Sequence, residues 1–167
     1  MGSPASFALR DCLASDVDDV FAIYDHYVRT STCTYQRDPD PPERRAAWHA
    51  EHDDAHPVIV ATEGAAIVGW GALSVFRGRW GYRHTVENSV YVHHAHQRRG
   101  IGGALLRELV ERATRLGHHT IVAGVSAEQQ GSLLLHERAG FQPIGRLREV
   151  GHKHDRWLDV VFLQRML

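Results

Sequence analysis

Cysteine is scarce in this sequence. Only Cys12 and Cys33 occur in 167 residues, and they form neither a C-x-x-C pair nor any other metal-ligand spacing. This usage excludes a disulfide framework and a cysteine-based metal centre. We therefore expect a chain that works in a reducing compartment, and the predicted location is the cytoplasm.

Long apolar runs and an excess of charge of either sign are also missing. No run approaches the ~20 apolar residues of a membrane-spanning helix, and "MGSPASFALR" lacks the apolar centre of a signal peptide. With 19 Lys and Arg against 20 Asp and Glu, the net charge is -1 before histidine is counted. This balance argues against nucleic acid or a membrane surface as a partner. The 13 histidines make the net charge positive as the pH falls through their titration range.

The composition is that of a folded protein. Apolar residues are 43% and charged residues 23% of the chain, which predicts one globular domain over residues 1–167. Apolar periodicity and turn residues predict a strand, two helices, three strands, a helix, a strand, a helix and two strands. The strands are expected at 7–10, 57–63, 66–76, 86–93, 120–125, 141–151 and 156–167, and the helices at 16–29, 41–55, 101–116 and 131–140. Ser15 or Asp16 is the expected cap of the first helix. This order predicts an α/β (α+β) domain in which about four helices flank a mixed sheet of about seven strands.

The segment "HQRRGIGGALL", residues 96–106, places glycines and arginines at the start of a predicted helix. Glycine costs about 1 kcal/mol per helical position relative to alanine, so a compensating role is expected. Unpaired N–H groups, the helix dipole and nearby arginines together form a phosphate cradle. No Gly-Lys-[Ser/Thr] follows, which excludes a Walker loop, and the G-x-G-x-x-G dinucleotide fingerprint is absent. Tight packing of a strand against a helix is the alternative explanation of the glycines.

The same loop carries a family resemblance. Gln97 to Gly102 matches the Q/R-x-x-G-x-G/A signature of the GNAT N-acetyltransferases, and it follows a predicted strand and opens a predicted helix, as that signature requires. "TVENSVYVHHAHQRRGIG", "SLLLHERAGF" and "GHKHDRWLDV" resemble the phosphinothricin acetyltransferase branch, which includes the methionine sulfone and sulfoximine enzymes. The resemblance covers about residues 8–167. It implies the GNAT fold, acetyl-CoA as co-substrate without a metal, a small amino acid as acceptor, and a homodimer.

Acetyl transfer from a thioester to an amine needs a base for the amine, a donor for the developing negative charge on oxygen, and protonation or stabilisation of the departing thiolate. Glu87 is the predicted base. Strand alternation places it on the face opposite Val86, Val90 and Val92, where a partly buried carboxylate can accept a proton directly or through water. A charge on a solvated strand face is the structural alternative. The resemblance favours the base, because the glutamate of "TVE" is the proposed base in the branch.

His136 is the second predicted catalytic residue. It lies in "LLLHERAGF", where the branch carries histidine and many GNAT enzymes carry a tyrosine proposed to protonate the departing thiolate. By this resemblance His136 acts as an acid or relays a proton with Glu87. A histidine beside three leucines is otherwise most often a hydrogen-bonded core residue.

The resemblance also implies a set of cofactor contacts. The strand of Val90, Tyr91 and Val92 parts from its neighbour and presents backbone groups to acetyl-CoA, with the Val92 N–H as the oxyanion donor. Gln129 stands where the branch usually has an asparagine that contacts pantetheine. The predicted cofactor-binding residues are Val90, Tyr91, Val92, Gln97, Arg98, Arg99, Gly100, Ile101, Gly102, Gly103, Gln129 and Ser132.

The acceptor pocket is predicted from two loops and the last hairpin. Tyr35, Arg79, Tyr82 and Lys153 are its expected residues beside Glu87, with an arginine suited to a carboxylate or phosphinate. Ordinary surface arginine is the alternative for Arg79. Trp157 is predicted to be a core or dimer anchor, and Asp159 an ion-pair partner.

The sequence is compatible with three further functions. "HHAH", residues 93–96, raises the possibility of a metal-binding protein, but no carboxylate or cysteine accompanies it in the sequence and a polar exit from the strand explains it better. A peptide or protein N-terminal acetyltransferase is the second, and a non-catalytic acyl-CoA-binding module is the third. The favoured prediction is an acetyl-CoA-dependent N-acetyltransferase of a small amino acid such as phosphinothricin, methionine sulfoximine or methionine sulfone.

Overall fold

The computed structural model describes residues 7–167. Residues 1–6 lie outside the described part. They belong to the predicted domain over residues 1–167 and to the segment "MGSPASFALR". The strands are β1 (Ala8–Asp11), β2 (Val58–Glu63), β3 (Ala66–Val75), β4 (Thr85–Val92), β5 (Thr120–Ser126), β6 (Gln142–Lys153) and β7 (Arg156–Met166), and the helices are α1 (Val17–Thr30), α2 (Pro42–Ala50), α3 (Ile101–Arg115) and α4 (Gln130–Arg138). The predicted element order is confirmed.

One mixed sheet organises the described residues. Its strand order is β1-β2-β3-β4-β5-β7-β6. The β4–β5 pair is parallel and the other pairs are antiparallel. This is the predicted α/β (α+β) architecture, with seven strands and four helices.

Two apolar cores lie on opposite faces of the sheet. On one face α3 packs its stripe of Ile101, Leu105 and Leu109 against β2, β3 and β5. On the other face α1 packs Val20 and Phe21 against Trp70 and its neighbours. Leu116, which the periodic pattern included in the α3 stripe, follows the last helical residue and is 43% exposed.

Two glycines of β3 allow α3 to approach closely. A Cβ on Gly69 would lie 3.1 Å from the Ile101 side chain, and one on Gly71 would lie 3.0 Å from Leu109. Both distances are below ordinary van der Waals contact, so a side chain at either position would push α3 outward. This contact sets the position of the α3 N-terminus relative to β4.

Two local predictions near the helices are wrong. The predicted second helix extends to residue 55, but α2 ends at Ala50, because the Asp53 carboxylate accepts hydrogen bonds from the backbone N–H groups of Ala55 and His56 and forms a turn. Asp16 does not cap α1 with its side chain. Its carboxylate instead accepts from the Leu13 N–H and from Arg10.

Candidate active site

A fork in the sheet forms the main cleft. β4 and β5 pair only from Thr85↔Thr120 to Glu87↔Val122, whereas β4 stays with β3 as far as Val92 and β5 stays with β7 as far as Ser126. The strands therefore separate beyond Glu87 and leave a cleft of about 790 Å³ between them. The α3 N-terminus and α4 complete its walls.

The backbone of β4 faces this gap. The His93 N–H donates to the Val68 carbonyl oxygen, and hydrogen-bonded pairs alternate along an antiparallel ladder. Val92 and Val90, at the intervening positions, therefore turn their N–H and C=O groups toward the fork. The Val92 carbonyl accepts from the Tyr27 hydroxyl at 2.5 Å, and the N–H groups of Val90 and Val92 are donors on this edge.

The loop before α3 is shaped to bind an anion. Arg98 and Gly100 have positive φ values of 57° and 83°, which turn the chain sharply before the helix. The first helical bond is from the Ala104 N–H to the Gly100 carbonyl, at 3.0 Å. The N–H groups of Ile101, Gly102 and Gly103 have no acceptor within residues 7–167, so they are available to a phosphate.

The two arginines of this loop have different surroundings. Arg99 forms a two-pronged ion pair with Glu63, with a shortest N–O distance of 2.5 Å, and it does not line the cleft. Arg98 lines the cleft, as does Arg138 of α4. Sequence reasoning missed Arg138, although Gly131, Leu135 and Arg138 follow the helical spacing of a single face.

Glu87 lies at the base of the fork. Its side chain points to the face of α1 and α2, and its Oε1 atom is 3.6 Å from where a Cβ on Gly124 would lie. It is half-buried, and no ion pair or side-chain hydrogen bond to it occurs within the described chain. Burial raises the pKa of the Glu87 carboxyl above its ordinary value. A base with a raised pKa and no counter-charge is suited to accept a proton from an ammonium group.

His136 is buried on the opposite face of the sheet. Its Nδ1 is 2.8 Å from the Ser132 carbonyl oxygen and its Nε2 is 3.0 Å from Nδ2 of Asn88. Burial lowers the pKa of the imidazole, so the ring is neutral near pH 7. The structure does not bring Glu87 and His136 together, because Glu87 and the partner of His136, Asn88, are successive strand residues with side chains on opposite faces.

Two further polar side chains at the fork escaped sequence reasoning. The Asn88 Oδ1 and the Ser126 Oγ have no hydrogen-bond partner among residues 7–167, and both residues line the cleft. Asn88 is 7% exposed and Ser126 5% exposed. Buried polar atoms are nearly always hydrogen-bonded in native proteins, so both atoms indicate a ligand in the cleft.

We expect Ser126→Ala to separate stability from activity. Removing a buried hydroxyl without a partner leaves stability unchanged or improved, whereas a lost ligand hydrogen bond of about 0.5–1.5 kcal/mol lowers kcat/KM by up to about tenfold. Thermal unfolding and steady-state kinetics test this. Thr120→Val is the matched control on the same strand face, because the Thr120 hydroxyl donates to the Arg165 carbonyl at 3.0 Å; it should lower stability and leave activity intact. A less stable but fully active Ser126→Ala protein would contradict the ligand role.

The remaining predicted cofactor contacts are near the cleft. Gln129, Ser132 and Gln97 line it together with Val90, Tyr91, Val92, Gly100, Ile101, Gly102 and Gly103. The Gln97 amide donates to the Tyr27 hydroxyl at 2.7 Å, and the Gln129 amide is 3.5 Å from the Thr32 hydroxyl. Of the predicted set, only Arg99 is outside the lining.

The predicted acceptor residues do not converge on the cleft lining. The Tyr35 hydroxyl donates to the Asp159 carbonyl at 2.9 Å, and its ring lies so close to Gly151 that a Cβ there would be 2.4 Å away. The buried Lys153 ammonium donates to the Ser31 and Thr34 carbonyls at 2.7 and 2.8 Å. These two side chains fasten the loop after α1 to the β6–β7 hairpin.

Arg79 and Tyr82 belong to an exposed turn before β4. The Tyr82 ring makes an edge contact with Phe76, with centroids 5.8 Å apart. No hydrogen bond or ion pair from the Arg79 guanidinium occurs in the described chain. Both side chains are therefore available to a ligand or to a second copy of the chain.

The histidine-rich exit of β4 forms its own contacts. The His93 Nδ1 accepts from the Ala95 N–H at 3.2 Å, and the His26 and His94 rings stack at 4.0 Å. Across residues 7–167 no group of three or more His, Cys, Asp or Glu side chains is arranged to hold a metal ion. In the same part of the chain, no helix is long and apolar enough to cross a membrane.

The fork, the free N–H groups in the first turn of α3, and the unpartnered buried atoms of Asn88 and Ser126 fit one kind of ligand: an extended chain that ends in phosphates. Acetyl-CoA has this form, so the fold and site define an acetyl-CoA-dependent acyltransferase. Comparison with known proteins identifies the family. Residues 20–141 match the family model described as "Acetyltransferase (GNAT) family".

Relatives of similar length extend this match. The chain is 37% identical over 158 residues to the L-methionine sulfoximine/L-methionine sulfone acetyltransferase of Salmonella typhimurium, covering 94% of this chain and 90% of that protein. It is 35% identical over 161 residues to the L-amino acid N-acyltransferase MnaT of Escherichia coli, covering 96% of this chain and 94% of that protein. The crystal structure of a phosphinothricin acetyltransferase from Sinorhizobium meliloti in complex with AcCoA superposes with a TM-score of 0.91 at 36% identity, covering 96% of this chain and 88% of that one. The chain belongs to the GNAT family and is an N-acetyltransferase that uses acetyl-CoA.

Proposed function

We propose that this chain, as a single domain over residues 1–167 in the cytoplasm, acetylates the α-amino group of a small amino acid. The proposed acceptors carry a tetrahedral phosphorus or sulfur centre, as phosphinothricin, methionine sulfoximine and methionine sulfone do. The observation that carries the proposal is the half-buried Glu87 carboxylate at the base of the fork, which has no counter-charge within residues 7–167. The names of the relatives support the choice of acceptors.

The proposed reaction follows from the groups at the fork. Acetyl-CoA supplies an activated thioester, and its phosphates bind the free N–H groups in the first turn of α3, with Arg98 and Arg138 nearby. Glu87 takes a proton from the acceptor ammonium, directly or through water. The neutral amine then attacks the thioester carbon, the C–S bond breaks, and its electron pair leaves on sulfur. The second proton that the nitrogen loses passes to this thiolate, directly or through water, and gives the amide and free CoA. The Val92 N–H donates to the thioester oxygen while negative charge develops there.

Acceptor recognition is proposed for the exposed turn before β4 and for the loop after α1. Arg79 and Tyr82 are the proposed direct contacts of the acceptor carboxylate and side chain, since their polar groups have no partner within residues 7–167. Tyr35 and Lys153 are proposed to act on the acceptor through the loop that they fasten. Ser126 extends from the same sheet face as Glu87 and is the proposed neighbour of the transferred group.

Release of CoA from acetyl-CoA tests the function. Phosphinothricin, methionine sulfoximine, methionine sulfone, ordinary amino acids and a short peptide are compared as acceptors, with product masses recorded. Turnover concentrated on the three tetrahedral-centre amino acids is the expected result. Turnover of the peptide alone would instead indicate a peptide N-terminal acetyltransferase. Binding of acetyl-CoA without turnover of any acceptor would indicate a non-catalytic acyl-CoA module.

We also propose that two copies associate through the β6–β7 hairpin. Edge strand β6 is exposed from residue 142 to residue 150, and Leu147, Val150 and Trp157 are 48%, 54% and 65% exposed. Large exposed apolar side chains on an edge hairpin are typical of an interface. Trp157 was predicted to be a core or dimer anchor, and its exposure shows that it is not a core residue. Asp159 forms an ion pair with Arg146 at 2.6 Å, as predicted.

Light scattering tests the dimer. Wild type is expected at twice the chain mass of 18.8 kDa. Leu147→Glu and Trp157→Glu should each produce monomers, because an unpaired charge in a buried interface costs about 3–5 kcal/mol. The control is Leu116→Glu, at another exposed leucine far along the chain, which should remain dimeric. Monomeric wild type at micromolar concentration would contradict the dimer.

A further inference from the structure

Asn88 occupies the first position of β4 beyond its pairing with β5. Its side chain extends to the α3–α4 face, where its Nδ2 lies 3.0 Å from Nε2 of His136. It is 7% exposed, and its Oδ1 has no partner among residues 7–167. The Asn88 Oδ1 is therefore a hydrogen-bond acceptor at the cleft that has no donor within the described chain.

The hydrogen-bond network fixes which end of the Asn88 amide faces His136. The Ser132 carbonyl can only accept, so the 2.8 Å contact requires a proton on Nδ1 of His136. Nε2 of the neutral ring then carries a lone pair and accepts from the Asn88 NH₂ group. The reverse amide orientation would place Oδ1 against that lone pair. Edge-to-face packing on Phe141, with centroids 5.1 Å apart, holds the ring in place.

This arrangement leaves His136 without a proton to give to the cleft. Its protonated nitrogen faces the Ser132 carbonyl, and its other nitrogen is occupied by Asn88. The unpartnered group next to the fork is the Asn88 carbonyl oxygen. Of the groups that the acetyl-CoA arm offers at the fork, its amide N–H groups are the strong hydrogen-bond donors.

We propose that Asn88 binds acetyl-CoA through a hydrogen bond from a pantetheine amide N–H to its Oδ1, and that His136 is a positioning residue that fixes the Asn88 amide. This inference rests on the proposed function for its ligand and is independent of the acceptor. It assigns no proton transfer to His136. Substitutions at positions 88 and 136 should therefore weaken acetyl-CoA binding, whereas substitution of a catalytic acid would mainly lower kcat.

The first test measures acetyl-CoA binding by calorimetry, without an acceptor. Asn88→Ala should raise the dissociation constant about tenfold, as the loss of one buried hydrogen bond does. His136→Leu removes the acceptor that orients Asn88 and should weaken binding similarly. His136→Gln places an amide oxygen near the former Nε2 position and should bind within about threefold of wild type. Because the two residues act as a unit, the double variant Asn88→Ala/His136→Leu should bind no more weakly than either single variant.

Kinetics and NMR provide the second test. The conservative variant His136→Gln should recover the acetyl-CoA affinity that His136→Leu loses and should keep both limbs of the pH profile, and Asn88→Ala should raise the KM for acetyl-CoA more than it lowers kcat. Above pH 7, the ¹⁵N shifts of His136 should report one neutral tautomer with the proton on Nδ1. A loss of kcat and of one limb of the pH profile in His136→Gln, with binding intact, would overturn the proposal in favour of an acid. Unchanged acetyl-CoA binding in Asn88→Ala, with its fold verified by circular dichroism, would overturn it as well.

The outcomes separate this inference from the proposed function. If wild type binds acetyl-CoA and Asn88→Ala binds it about tenfold more weakly, the inference holds even when none of the tested amino acids is acetylated. If the amino acids are acetylated and Asn88→Ala binds acetyl-CoA normally, the function holds and the inference fails.

Discussion

Glu87→Gln is expected to lower kcat by about 10²- to 10⁴-fold, the usual contribution of a general base. The substitution keeps the shape of the side chain and removes its ability to accept a proton. The KM for acetyl-CoA should change little, because Glu87 is not among the residues that line the cofactor cleft. Steady-state kinetics with the best acceptor measures both effects. Glu111→Gln is the matched control, since the Glu111 side chain is 64% exposed on α3.

The pH dependence of the same group has a definite sign. The base must be ionised, so kcat/KM should be full above the raised pKa of Glu87 and should fall as the pH drops through it. Stability changes in the opposite sense. A carboxyl whose pKa is raised by folding binds more protons in the folded state, so its ionisation destabilises the protein as the pH rises through that window.

Glu87→Gln removes this unfavourable ionisation. The variant should therefore unfold at a higher temperature than wild type at pH 7, while being far less active. Thermal unfolding at pH 4.5 and pH 7 measures the difference, which should be larger at pH 7. A variant that is both inactive and less stable at pH 7 would indicate a structural role for Glu87. A variant with nearly full activity would exclude Glu87 as the base.

Local patterns in the sequence were sufficient for the strands, α3 and the loop before it. In those segments the apolar period and the Gly-rich turn determine structure over a few neighbouring residues. Asn88 and Ser126 were missed because their importance depends on where β4 and β5 separate. That separation depends on pairing between segments more than 30 positions apart, and β-alternation alone assigns both residues to ordinary strand faces.

The same dependence on distant segments explains why the predicted acceptor-binding residues do not converge on the cleft lining. Tyr35 and Lys153 were predicted to contact substrate, but their polar groups bind backbone carbonyls of distant segments. A side chain type and its place in a loop do not reveal which backbone group it will meet. Strand alternation was sufficient to predict the sheet face of Glu87. The lack of a positively charged partner among the described residues could be seen only in the tertiary structure.

Gly100→Val should raise the dissociation constant of acetyl-CoA by at least about tenfold, equivalent to 1.4 kcal/mol or more. Gly100 has a φ of 83° and open space around the position of a Cβ. The effect of valine there is therefore conformational: the left-handed backbone region costs a β-branched residue of order 1–3 kcal/mol. Relief of that strain rotates the loop and turns the Ile101, Gly102 and Gly103 N–H groups away from the phosphates.

Gly64 provides the matched control for this substitution. It follows β2 with a φ of 57° and likewise has nothing within 4 Å of a Cβ, so Gly64→Val imposes similar strain away from the cleft lining. Both variants should lose comparable stability in thermal unfolding, but only Gly100→Val should lose affinity for acetyl-CoA in calorimetry. Equal loss of affinity in both would attribute the effect to general destabilisation. Normal affinity in Gly100→Val would exclude the loop as the phosphate site, because the cradle requires the left-handed turn that valine disfavours.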